Sequence, residues 1–239
     1  YTASAFSFML ENLNKSIIFT GSQIPIDARR SDAKENLITA VEIAASDKVN
    51  EVCIYFEDQL YKGNRKVKVN TEHFEAFESP NYPILAEAGV NIKYKSILQK
   101  KENQELVVHK NCSDDVSILK LFPGIKLATI GAIIKSAKGI IIESFGAGNT
   151  STDPELTTLL SQGIRQGKII MNISQCLHGE AVRGQYETNE PFEKAGVICG
   201  KDMTTEAAIT KLMFLLGQGL SNKEIKSQLQ KNLRGEITV

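Results

Sequence analysis

With 239 residues, 42% hydrophobic and 23% charged, the chain is long enough to bury one large core or two moderate ones. Lys+Arg 28 against Asp+Glu 28 leaves a net charge of zero, so there is no general field to gather nucleic acid or an anionic membrane. Apolar runs such as Gly139-Ile140-Ile141-Ile142 are too short to cross a bilayer, and the composition favours a small-molecule ligand.

The opening, Tyr1-Thr2-Ala3-Ser4-Ala5-Phe6-Ser7-Phe8-Met9-Leu10, has apolar residues at helical spacing and no secretory signal, and it reads as a start in mid-fold. A helix is expected to Leu13, ended by Asn12-Leu13-Asn14, and then a buried strand over residues 16–20. The loop Gly21-Ser22-Gln23-Ile24-Pro25 follows. Ser31 or Asp32 can cap a helix running through Leu37, Val41, Ile43 and Ala44, after which residues 52–56 supply another strand. Helix and strand alternate here as they do in parallel sheets, whose strands need long crossover connections. Loops at the carboxyl ends of such strands bind ligands in open α/β sheets, which draws attention to Gly21-Ser22 and to the loop after residue 56.

That second loop, residues 61–71, carries Lys62, Arg65, Lys66 and Lys68 within seven positions. On spacing alone such a run is read as charge pointing into water. Lys68 stands apart, because Val67 and Val69 flank it and place it on the opposite face of a strand.

Beyond Ser79-Pro80-Asn81-Tyr82-Pro83, residues 90–94 alternate like an exposed strand, and residues 98–115 are polar, with a short strand near 106–108. A boundary falls in this link. Alternation then resumes: strand 116–121, helix 129–136, strand 139–143, helix 154–163, strand 168–173, a Gly-rich polar region 177–192 and a short strand 196–199. Two helices close the chain, one from about Thr204 with Ile209, Leu212, Met213, Leu215 and Leu216 apolar, the other from Ser221, where Glu224 completes a capping box.

Cys53, Cys112, Cys176 and Cys199 lie far apart with no CxxC, so neither zinc nor a disulfide framework is indicated. Cys53 and Cys199 read as small buried hydrophobes, and a reducing compartment is the simpler assumption. His73, His109 and His178 fall in separate segments without ligand spacing. Gly146 and Gly148, after a strand, invite a nucleotide-binding reading, but Ser151 stands where the third glycine of GxGxxG belongs, and a tight turn is the role assigned. Cys176 and His178 are neighbours in sequence, which does not supply the spatial pairing of a nucleophile with its base.

Taken together, the segments Ile18-Phe19-Thr20-Gly21-Ser22-Gln23-Ile24-Pro25, Arg30-Ser31-Asp32 with Asn36-Leu37, and Tyr61-Lys62-Gly63-Asn64-Arg65 with Lys68 resemble the L-asparaginase family, most of all its bacterial cytosolic (type I) branch. The resemblance continues through Phe145-Gly146-Ala147-Gly148-Asn149, Asn172-Ile173-Ser174-Gln175-Cys176, Ala195-Gly196-Val197-Ile198 and Lys231-Asn232-Leu233-Arg234-Gly235-Glu236. It implies an α/β fold of doubly wound, mostly parallel sheets in two domains: residues 1–97 as the C-terminal part of a catalytic domain, 98–115 as a linker region and 116–239 as the smaller domain. It implies hydrolysis of L-asparagine to L-aspartate and ammonia, often with some activity on L-glutamine, through a threonine acyl-enzyme. No cofactor, metal, nucleic acid or membrane partner is implied, and the location would be cytoplasmic.

By position in the motif, Lys68 is the lysine of the family's Thr-Asp-Lys proton-transfer cluster, and the backbone of Ser22 borders the substrate amide. A neutral lysine near pH 7 has its pKa brought down from about 10.4, at roughly 4 kcal/mol of differential interaction, and burial beside Arg65 and Lys66 is the expected source. The family's nucleophilic threonine lies in a TGGTI motif and its partner aspartate and threonine in HGTDT, and neither run occurs in this sequence. The expectation is therefore an N-terminally incomplete catalytic domain, with exposed apolar sheet edges at residues 17–19 and 52–56. The alternative is a non-catalytic remnant, or an interaction or effector-binding subunit on the same scaffold. A homodimer or homotetramer is expected of the complete protein, with residues 179–191 closing a neighbouring site.

Overall fold

The alternation of helical and extended runs is realised as one principal sheet in each of two units, Tyr1–Lys110 and Asn111–Val239. The computed structural model describes residues 1–95, 104–182 and 190–238. Part of the expected linker and most of the 179–191 segment lie outside the described residues.

The first unit contains α1 (Thr2–Met9), β1 (Leu10–Glu11), β2 (Ile17–Phe19), α2 (Ala33–Ala45), β3 (Val52–Phe56), β4 (Gln59–Lys62), β5 (Val67–Lys68), β6 (Phe77–Glu78), β7 (Ala86–Glu87), β8 (Lys93–Tyr94) and β9 (Val107–Val108). Its main sheet has the order β2-β3-β4-β7-β8. The parallel pairing expected from the alternation joins β2 to β3, whose long connection is α2. From β3 onward the pairings are antiparallel: short turns join β3 to β4 and β7 to β8, and the chain between β4 and β7 carries the β5–β6 ribbon. The opening helix stops at Met9, where Leu10 and Glu11 pair instead with Val108 and Val107. The expected strand at 90–94 is reduced to β8, with Val90 fully exposed.

Two expectations in this unit are corrected. Residues 52–56 are no edge: β3 is buried along its whole length between β2 and β4, and of the two runs β2 is the one at a border of the sheet. The strand that covers it, β4, was read as loop. The turn between them, Glu57-Asp58, has positive φ at both residues (43° and 59°), the two-residue geometry that suits a twisted hairpin, but without the Asn-Gly that normally announces it. Likewise α2 does not bury Leu37 and Val41, which are exposed. Its buried face is Asn36, Ala40 and Ile43, packed against a core of Val49, Cys53, Tyr55, Leu60 and Leu85.

The second unit has β10 (Val116–Lys120), α3 (Leu127–Ser136), β11 (Gly139–Ser144), α4 (Pro154–Arg165), β12 (Ile169–Ser174), α5 (Glu190–Ala195), β13 (Ile198–Cys199), α6 (Thr205–Gly217) and α7 (Asn222–Leu229). The sheet β10-β11-β12-β13 is parallel throughout. Alternation along β11 sends Ile140 and Ile142 into a core with Ile130, Ile134, Leu156 and Leu160 of α3 and α4. The opposite face takes α6, so closely that a Cβ at Gly139 would lie 2.7 Å from the Leu212 side chain. Helices on both faces make this a doubly wound sheet. The capping box at Ser221 and Glu224 is present. Gly146 and Gly148, both at positive φ, close the tight turn bridged by Phe145 and Asn149.

The chain after α7 is held by one buried cation. Lys211 on α6 is fully buried, and its Nζ donates to the Leu229 carbonyl (3.1 Å) and the Lys231 carbonyl (2.5 Å) and pairs with Glu236 Oε1 at 2.5 Å. Glu236 also accepts the backbone amides of Leu233 and Arg234. Burial lowers the Lys211 ammonium pKa, with the Glu236 carboxylate opposing it. Removing one member leaves the other charge buried and unpaired, so Lys211→Ala should cost about 3–5 kcal/mol in urea denaturation of the second unit, and a loss under about 1 kcal/mol would contradict the pairing.

Burial, with the Glu75 and Glu78 carboxylates adding to it, pushes the Tyr61 phenol up to about 12. The unfolded phenol ionises near the ordinary value of about 10, so this contribution is complete below that pH and is lost as the pH rises through the folded value. Stability measured between pH 9 and pH 12 should fall more steeply in the wild type than in Tyr61→Phe; parallel curves would contradict the assignment.

Candidate active site

The loop after β2 is fixed from the start of α2. Asp32 occupies the N-cap position, yet its carboxylate makes no cap of its own helix. It turns back to accept the amides of Gln23 (3.1 and 3.0 Å, one to each oxygen) and Ile24 (3.1 Å). One helical turn on, buried Asn36 donates from Nδ2 to the Gly21 carbonyl (3.0 Å) and to Asp32 Oδ2 (3.1 Å). Its Oδ1 accepts the Glu57 amide at 3.2 Å, so the same side chain also holds the turn between β3 and β4. Ser31 Oγ donates to the Ile24 carbonyl (2.8 Å) and accepts the Ala33 amide (3.1 Å). Hydrogen bonds to a charged acceptor contribute roughly 1.5–3 kcal/mol each, well above neutral ones, so the loop conformation is strongly specified. Ser22, half-buried, sits between a pinned carbonyl at Gly21 and a pinned amide at Gln23.

Lys68 meets this loop. On the short ribbon formed by β5 and β6 it pairs with Phe77, is exposed, and donates from Nζ to Gln23 Oε1 at 3.3 Å. The orientation of the Gln23 amide is set from its other end, where Nε2 donates to the His73 carbonyl at 2.8 Å. His73 is itself placed by Asn70, whose Oδ1 accepts the amides of Glu72 (2.8 Å) and His73 (3.0 Å). Ser22 and Lys68 are thus brought to one place, with Gln23 between them.

The order of burial among the four cations is the reverse of what was expected. Lys62, Arg65 and Lys66 are buried, and Lys68 alone of the four is exposed. Lys62 pairs with Glu51, Arg65 lies 5.1 Å from the centre of the Tyr82 ring, and Lys66 Nζ lies 3.5 Å from that of Phe77. Cations can be buried here because carboxylates and aromatic faces replace water. Lys68 Nζ lies 5.7 Å from the same Phe77 ring. Burial, with the charges of Asp58, Asp32 and Glu75 adding to it, pushes the Glu57 carboxyl above the usual carboxylate range.

Cys176 and His178 are both exposed in the bend after β12. His109 pairs with Glu11 at 2.9 Å. Among the described residues no group of three or more His, Cys, Asp or Glu could hold a metal ion, and no helix is long and apolar enough to cross a membrane.

The sequence singled out Lys68 and Ser22 as candidates and gave no account of what holds them. Gln23, Asp32 and Asn36 were visible only as letters in a motif. The usable signal was Asp and Asn four residues apart at a helix start, which puts two polar side chains on one face, level with the preceding loop.

Comparison with known proteins bears on the fold and the family. Residues 1–100 match the family described as Asparaginase, N-terminal, and residues 115–229 the Glutaminase/Asparaginase C-terminal domain. L-asparaginase 1 of Escherichia coli is 40% identical over 240 residues, covering 100% of this chain and 71% of that protein. The 60 kDa lysophospholipase of Mus musculus is 43% identical over 243 residues, and the chain spans only 43% of its length. The crystal structure of L-asparaginase I from Vibrio cholerae superposes with a TM-score of 0.92 at 41% identity, over 100% of this chain and 72% of that one. The fold is that of the asparaginases. The chain belongs to the asparaginase family.

Gly63, in the middle of the basic run, shows how tightly this region is built. A Cβ there would lie 2.8 Å from the Val52 carbonyl and 3.3 Å from Ala3 Cβ. Gly63→Ala should therefore destabilise the first unit by about 1–3 kcal/mol in denaturant unfolding, and an unchanged midpoint would show that the strand can shift to make room.

Proposed function

We propose that these 239 residues carry the lysine side of an L-asparaginase-type active site, which hydrolyses L-asparagine to L-aspartate and ammonia through a threonine acyl-enzyme. The observation that carries this reading is the convergence of Lys68 and the Ser22 loop through Gln23 at the carboxyl end of β2, where open α/β sheets bind small molecules. It is supported by 40% identity to L-asparaginase 1 across the whole chain.

In this reading a threonine hydroxyl attacks the side-chain carbonyl carbon of asparagine, the C–N bond breaks, ammonia leaves, and water then cleaves the ester. Lys68 is the group that receives and returns the hydroxyl proton, and the backbone at Ser22 borders the substrate amide. The threonine, and the aspartate that accompanies it, belong to sequence other than residues 1–239. Residues 1–97 are then the later part of a catalytic domain and 116–239 the smaller domain. We place the protein in the cytoplasm as a homodimer or homotetramer, with L-glutamine as a slower substrate; sedimentation and a comparison of kcat/KM for the two amides test these points.

The full-length wild type should release ammonia from L-asparagine, and Lys68→Met should lower kcat by about three orders of magnitude with an unchanged fold by circular dichroism, since proton transfer by a positioned group contributes on the order of 100- to 10,000-fold. Near-normal turnover by Lys68→Met would remove the proposed role. A wild type that hydrolyses neither amide would favour the second reading, a binding subunit on the asparaginase scaffold.

A further inference from the structure

We propose that Asp32 and Asn36 of α2 are positioning residues that act on Lys68 through Gln23. This inference rests on the asparaginase reading above and goes further, because it assigns work to three side chains outside the nucleophile and its proton-transfer partners.

The connection is continuous. Asp32 accepts the Gln23 amide with both carboxylate oxygens, at 3.1 and 3.0 Å, which fixes the backbone from which the Gln23 side chain departs. Asn36 fixes the preceding residue but one through the Gly21 carbonyl at 3.0 Å and braces Asp32 Oδ2 at 3.1 Å. The Gln23 amide can then lie in only one sense. Its nitrogen is committed to the His73 carbonyl at 2.8 Å, so its oxygen is turned to Lys68 Nζ at 3.3 Å. A lysine side chain on the surface ordinarily samples many rotamers, and holding it in one costs entropy that a prepositioned acceptor offsets. Lys68 is exposed, sits on a strand of only two residues, and has Gln23 Oε1 as the acceptor that orients it. Asn36 is buried, and each end of its amide is bonded. The arrangement therefore transmits the position of a core helix to a solvent-facing amino group.

Two consequences separate positioning from simple support. Because Asp32 and Asn36 reach Lys68 through the Gln23 side chain, their loss should lower kcat, with a smaller rise in KM for L-asparagine from the Ser22 backbone that the same loop carries. Because they act through Gln23, their effect should vanish once Gln23 can no longer accept from Lys68.

The experiment is a double-mutant cycle in the full-length protein with Asp32→Ala, Gln23→Leu and both together, assayed for L-asparagine hydrolysis. Amide hydrogen exchange at Gln23 and Ile24 serves as a readout that needs no activity. Each single variant should lose about 10- to 100-fold in kcat with KM within about threefold, and the double variant should be no slower than the slower single one. Asp32→Asn, which keeps one acceptor oxygen, should recover much of the loss and serves if Asp32→Ala does not fold. Asp32→Ala should also lose exchange protection at both amides. Multiplicative losses, or lost protection with kcat unchanged, would overturn the positioning role while leaving Lys68 in place. Full activity in Lys68→Met, or an inactive wild type, would overturn the reading beneath it as well.

Discussion

A carboxylate at the first position of a helix usually caps that helix, and in this protein it does something else. Asp32 gives its oxygens to the amides of the loop behind it, and Asn36 links that loop to the hairpin turn at Glu57. The loop after β2, the β3–β4 hairpin and the ribbon bearing Lys68 all take their places from this polar junction. Hydrophobic packing could not do this alone, since burial energy has no direction and fixes a loop only approximately. Charge-assisted hydrogen bonds of defined geometry do fix it.

The basic run shows the same division of labour. Of four cations close in sequence, three are buried against a carboxylate or an aromatic ring and serve the architecture. Lys68, the exposed one, donates to the Gln23 amide oxygen and lies 5.7 Å from the centre of the Phe77 ring. Arg65 is buried against Tyr82 and Lys66 beside Phe77, the residue that pairs with Lys68 across the ribbon.

Much of the second unit was legible in the sequence, because its strands are continuous apolar runs separated by helices with clear caps at Asp153, Thr204 and Ser221. The first unit was less so. Its hairpin turn at Glu57-Asp58 lacks the residues that normally mark one, and α2 buries the polar Asn36 while exposing Leu37 and Val41, against the pattern that hydrophobic periodicity assumes. Lys68 was found by its flanking valines and by family resemblance. Burial around it was misjudged, because nothing in a charge run tells which cation has an aromatic neighbour distant in sequence. Tyr82 lies 17 residues from Arg65.

The central claim is that Lys68 and the Ser22 loop form one side of a site whose acyl-accepting threonine lies in sequence other than these 239 residues. Its most direct test is to acid-quench the full-length protein during turnover of L-asparagine and map the covalent aspartyl adduct by peptide mass spectrometry. An aspartyl ester on a threonine outside residues 1–239 is the expected result. An adduct within them, on Cys176 or on a serine or threonine of the Ser22 loop, would contradict it.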